Sequence, residues 1–102
     1  MINVLEERRS SVAALCRRFR VSRLDVFGSA ASGDFRAETS DLDFVVEFTA
    51  TSATGFADRY FGLLEELEGL FGRPVDLVIA SAIKNPYFRD SIERTRKPLY
   101  AA

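Results

Sequence analysis

Two short apolar runs, Leu42–Phe48 and Val75–Ile79, alternate with a period of two, and aspartate falls among the polar positions of both. Side chains two apart along a strand share a face. Leu42, Phe44, Val46 and Phe48 therefore make one apolar face, and Asp41, Asp43, Val45 and Glu47 make the other. In the second run Val75, Leu77 and Ile79 form the apolar face while Asp76 points away with Val78. If the two strands are neighbours, Asp41, Asp43 and Asp76 converge on one side of a sheet. A sheet with helices on one face and carboxylates on the other satisfies this pattern.

The helices that would cover the apolar face are also legible. Phe56, Tyr60, Leu63, Leu64, Leu67, Leu70 and Phe71 recur at helical spacing, Gly72 supplies a C-terminal stop, and Pro74 reinforces it before the Asp76 strand. Fully burying a side chain such as Leu67 contributes about 1.5 to 3 kcal/mol, so core packing accounts for the stripe without a cofactor. Residues Ile2 to Arg20 read as one amphipathic helix, Leu24 to Phe27 as a strand, and Ala30 to Phe35 as a brief helix. Towards the C-terminus Phe88, Ile92 and Thr95 form a helical stripe between Pro86 and Pro98, expected to pack on the sheet. Burial of the Tyr87 and Tyr100 rings, with the hydroxyls reaching water, is the expected arrangement. The order helix, strand, helix, strand, helix, strand, helix implies a small α/β (α+β) domain, a single unit over residues 1–102.

Three carboxylates this close are unstable alone, since one like-charged pair at 4 Å repels by about 4 kcal/mol at an effective dielectric of 20. A cation or a proton must compensate them. Mg²⁺ takes a few carboxylates and keeps its other octahedral positions for water and phosphate oxygens, as in two-metal nucleotidyl transfer. A lone Asp-x-Asp more often just edges a strand; the third Asp on the matching face shifts the balance towards a metal site. Gly28-Ser29 supplies a complementary half, because it ends the strand Arg23-Leu24-Asp25-Val26-Phe27 and enters a short helix. Glycine lets a phosphate approach the backbone, while first-turn amides and the Ser29 hydroxyl can donate to the anion.

The run Gly28-Ser29-Ala30-Ala31-Ser32-Gly33, followed by Ser40-Asp41-Leu42-Asp43-Phe44-Val45-Val46 and then Arg73-Pro74-Val75-Asp76-Leu77-Val78, resembles the minimal nucleotidyltransferases of the DNA polymerase β-like superfamily. The resemblance extends from about Val21 to the C-terminus. It implies the polymerase β-like palm, a mixed sheet of three or more strands with helices on one face. It also implies that Gly28 and Ser29 bind the nucleotide triphosphate, that Asp41 and Asp43 hold Mg²⁺ ions bridging the phosphates, and that Asp76 completes the metal site facing the attacking hydroxyl. The catalytic set is thus Asp41, Asp43 and Asp76. This chain departs from the family at Ser32, where an Arg is common, losing a cationic donor near the phosphates; Arg36 in the following turn is a candidate replacement.

Composition excludes several alternatives. The net charge of −1, from 14 basic and 15 acidic residues, is a poor footprint for a processive nucleic-acid enzyme, so template-directed polymerisation is disfavoured. Arg8, Arg9, Arg17, Arg18, Arg20 and Arg23 gather in the first quarter and read as a solvated helix face, with docking of an acidic partner or RNA the minority reading. Cys16, the single cysteine, sits at core spacing with Val12, Leu15 and Phe19, and rules out an internal disulfide. With no histidine, His-dependent triads and histidine-ligated zinc drop out. No apolar stretch of about 18 residues is present to span a membrane and the N-terminus lacks a secretory pattern, so a soluble, cytoplasmic protein is expected.

At 102 residues no second domain fits, so a partner or a second copy would have to help hold the base or acceptor. The leading expectation is Mg²⁺-dependent transfer of AMP from ATP to a hydroxyl. The resemblance further implies an acceptor, since stand-alone minimal nucleotidyltransferases often accompany a HEPN-type RNase toxin and act as antitoxin by adding AMP to a toxin tyrosine. A non-catalytic antitoxin that neutralises by contact is the second reading, favoured by Ser32. An aminoglycoside-type transferase ranks last, because little wall remains for a small-molecule pocket.

Overall fold

A computed structural model describes residues 2–32, 41–49 and 55–102. The elements in chain order are α1 (Asn3–Glu7), α2 (Arg9–Arg18), β1 (Val21–Phe27), α3 (Ser29–Ser32), β2 (Leu42–Phe48), α4 (Phe56–Phe71), β3 (Val75–Ile79), a 3₁₀ turn (Ala80–Ala82), α5 (Pro86–Thr95) and β4 (Lys97–Ala101). The strands form one mixed sheet in the order β3-β2-β1-β4. β1 pairs antiparallel with both β2 and β4, whereas β2 and β3 run parallel through the α4 crossover.

The period-two alternation sorts the sheet's two faces as the sequence implies. Leu24, Val26, Leu42, Phe44, Val46 and Leu77 point into the main core, where they meet Leu5, Val12 and Cys16 from the N-terminal helices and Leu63 and Leu67 from α4. Burial pushes the Cys16 thiol up to about 12, which keeps it neutral in this apolar setting. α4 ends as expected: Gly72 adopts a left-handed conformation at φ 64° and its amide donates to the Glu68 carbonyl at 2.8 Å. The same helix lies so close to Phe19 that a Cβ on Gly62 would sit 2.6 Å from the ring.

Four features differ from the expectations above. The N-terminal helix is not continuous, because it breaks at Arg8 into α1 and α2. Neither glycine nor proline marks the break; beyond it, Arg9 donates to the Leu99 carbonyl at 3.1 Å and pairs with Glu6. A fourth strand, β4, closes the edge beside β1, and its Pro98 opposes Asp25 where the register shifts. Proline cannot donate to a ladder, so it is tolerated at this edge irregularity and hides the strand from pattern reading. Besides the helices on the core face, α5 packs on the opposite face: Ile92 joins Phe27, Val45 and Ile83 in a second apolar cluster. Tyr87, expected to bury its ring, is 85 % exposed at the start of α5, whereas Tyr100 is partly buried against the core.

Candidate active site

The parallel pairing of β2 with β3 places Asp43 directly opposite Asp76 in register. Asp41 immediately precedes β2, and both it and Asp76 are exposed, while Asp43 is partly buried. Asp43 titrates at about 6, raised from the usual 3.8 chiefly by burial and then by the negative charges of Asp76 and Asp41. The three carboxylates singled out in the sequence therefore interact electrostatically. Asp76 also acts on Tyr60, whose hydroxyl is shifted upward by burial first and by Asp76 second, and which donates to the Leu77 carbonyl at 2.5 Å.

Gly28 borders this cluster from the other side. Phe27 pairs with Asp43 across β1 and β2, so the residue after it turns at the carboxylate. Gly28 has φ 70°, and a Cβ built there would lie 2.7 Å from Asp43 Oδ2. Only glycine meets both conditions without strain or collision. Its carbonyl accepts from the Ala31 and Ser32 amides at 3.1 and 3.0 Å, which starts α3 at Ser29. The Gly28 amide, one residue before α3, donates to Thr95 Oγ1 at 3.0 Å, because the end of α5 reaches this turn. Ser29, partly exposed, opens the helix. Ser32 donates through its hydroxyl to the Ser29 carbonyl at 3.4 Å. Arg36, the candidate replacement cation, lies outside the described residues.

A buried ion-pair network behind the turn was missed in the sequence. Asp25 on β1 is fully buried and accepts from Arg96 Nε at 2.6 Å and from Arg23. Arg96 also pairs with Glu93 at 2.7 Å and lies 3.8 Å from Glu47, at the end of β2 away from Asp43. The alternation in β1 does place Asp25 off the core face, but nothing in the sequence links it to Arg96.

Among the described residues, no three acidic side chains close up into a ready-made metal cage. The donor set nevertheless fits a hard divalent cation. It offers carboxylate oxygens from adjacent strands, carries a mutual repulsion that a cation would relieve, and leaves Asp41 and Asp76 open to water and substrate oxygens.

Comparison with known proteins places the chain in a family. The nucleotidyltransferase domain model matches residues 8–99. The chain is similar to a protein adenylyltransferase, MntA, of Thermococcus cleftensis, at 38% identity over 85 residues, covering 79% of this chain and 82% of that one. Its fold is similar to a solved structure described as a candidate minimal nucleotidyltransferase, with TM-score 0.75, 36% identity, and 92% and 91% of the two chains covered. It is also similar in fold to a complex of tri-AMPylated Shewanella oneidensis HEPN toxin with MNT antitoxin, with TM-score 0.66, 17% identity, and 96% and 73% covered. The chain belongs to the nucleotidyltransferase domain family, in the branch of minimal nucleotidyltransferases, and is an enzyme of that class. Among the described residues, no helix is long and apolar enough to cross a membrane.

Proposed function

We propose that this nucleotidyltransferase moves AMP from ATP, with Mg²⁺, onto a tyrosine hydroxyl of a partner HEPN-type RNase toxin, and so acts as its antitoxin. The observation that carries the reading is the in-register pair Asp43 and Asp76, with Gly28 held against Asp43. Relatives named as protein adenylyltransferases and a fold neighbour bound to an AMPylated HEPN toxin support the choice of donor and acceptor.

In this mechanism Asp41, Asp43 and Asp76 hold the metal ions. When bound, the ions supply charge neutralisation for the triphosphate and favour the ionised form of the attacking hydroxyl. Gly28 lets the triphosphate approach the backbone, and Ser29 donates its hydroxyl to a phosphate oxygen. Asp43, with its proton affinity raised by burial and by the neighbouring carboxylates, would be held in its charged form by a bound cation. Asp76 opposite it orients the incoming hydroxyl, which is the positioning term in the barrier. Attack of the hydroxyl oxygen on the α-phosphorus breaks the α–β phosphate bond, and pyrophosphate is the leaving group.

Contact-only neutralisation is the second reading, favoured by Ser32 where a cationic side chain is common in the family. Asp43→Asn separates the two. It removes a charged ligand with almost no change in shape, so it should abolish AMP transfer to the toxin while the far-ultraviolet circular dichroism stays that of the wild type. Transfer that survives Asp43→Asn would show that the metal assignment is wrong.

A further inference from the structure

The end of α5 touches the turn at Gly28 through a polar contact, and the surrounding packing aims it there. Thr95 Oγ1 accepts the Gly28 amide at 3.0 Å and donates its own proton to the Ser91 carbonyl at 3.3 Å, one helical turn back. That back-bond, common for threonine in a helix, fixes the hydroxyl's orientation and leaves its lone pairs towards Gly28. The next residue, Arg96, is bound to buried Asp25, three positions before Gly28 on β1. Higher on the same helix, Ile92 is buried with Phe27 and Val45, and Phe88 meets Phe27 edge-on with ring centroids 6.1 Å apart. α5 is thus held to β1 by an apolar contact, an ion pair and the Thr95 bond, all within the strand end that becomes the turn.

We infer that Thr95 is a positioning residue for nucleotide binding: by holding the Gly28 amide it fixes the Phe27–Gly28 peptide plane and, with it, the close approach of Gly28 to Asp43 at the start of the turn. The inference rests on the nucleotide-binding role proposed for Gly28 and Ser29. With its amide tied to α5, Gly28 faces Asp43 with its Cα edge, and its carbonyl starts α3. Without that tie the Phe27–Gly28 peptide can rotate about a glycine, the residue least able to resist rotation, and the backbone beside Asp43 would lose its fixed position at the entrance to the turn.

The test uses the full chain as wild type, Thr95→Val and Thr95→Ser. Valine keeps the β-branched shape and removes the acceptor; serine keeps the acceptor. Two readouts are taken: hydrogen exchange at the Gly28 amide by nuclear magnetic resonance without nucleotide, and the Kd of a non-hydrolysable ATP analogue. Thr95→Val should expose the Gly28 amide to exchange and weaken the analogue about tenfold, the equivalent of one lost hydrogen bond. Thr95→Ser should restore both. Unchanged Gly28 protection in Thr95→Val, unchanged analogue affinity, or a Thr95→Ser variant as impaired as the valine each overturns the inference. A wild type that binds no analogue overturns the nucleotide reading itself, and this role with it.

Discussion

Replacing Gly28 by alanine perturbs the site at its tightest point, and the structure separates two costs. At φ 70° an L-residue is strained by about 1 to 2 kcal/mol. The new methyl would also stand 2.7 Å from Asp43 Oδ2, so the carboxylate must rotate. A side chain driven off its rotamer costs about 0.5 to 1.5 kcal/mol, which brings the total to roughly 1.5 to 3.5 kcal/mol. The functional effect should be larger, because a displacement near 1 Å at a positioned group can cost about a hundredfold in rate. Urea unfolding of Gly28→Ala, Asp43→Ala and the double variant, with kcat/KM on the first, measures both effects. In the double variant the nearest remaining atom is Asp43 Cβ at 3.8 Å, an ordinary contact, so only the backbone strain should persist and the two costs should be less than additive. Strict additivity, or a Gly28→Ala protein with wild-type stability and rate, would refute the packing argument.

Asp43 should leave its mark on stability against pH. Its folded value of about 6 lies above the ordinary 3.8, so the folded state holds the proton more tightly. In metal-free protein this group makes stability fall as pH rises from about 4 to about 6, and constant on either side. The full shift is worth roughly 3 kcal/mol, reduced by solvent screening at this partly exposed position to on the order of 1 to 2 kcal/mol. Thermal unfolding across that range should show the slope in the wild type and lose it in Asp43→Asn; an unchanged slope contradicts the assignment. Asp25→Asn leaves the Arg96 and Arg23 guanidiniums without their buried carboxylate, and should destabilise the fold by roughly 2 to 4 kcal/mol in denaturant titration. A loss below about 0.5 kcal/mol would mean water replaces the carboxylate freely.

The elements that sequence reading recovers are those whose information is local. Alternation in Leu42–Phe48 and Val75–Ile79 places Asp43 and Asp76 on one face, since a strand's period leaves no other choice. The α4 stripe and Gly72 likewise fix that helix and its end. Other features depend on residues far apart in the chain. Arg96 reaches Asp25 across 71 positions, and no spacing rule ties Thr95 to Gly28. β4 is concealed by Lys97 and Pro98, which suit an edge strand but lower any strand reading. Exposure of Tyr87 follows from α5 turning Phe88, Ile92 and Thr95 towards β1, with Tyr87 on the outward side. Candidate residues Gly33, Arg36 and Ser40 fall outside the described residues.

The most direct test of the account is transfer of label from α-phosphate-labelled ATP, with Mg²⁺, to a purified HEPN-type toxin partner, comparing wild type with Asp41→Ala/Asp43→Ala. Label is expected on a toxin tyrosine with the wild type and none with the double variant. A toxin neutralised in a stable complex that never acquires label would contradict that expectation and leave contact as the means of neutralisation.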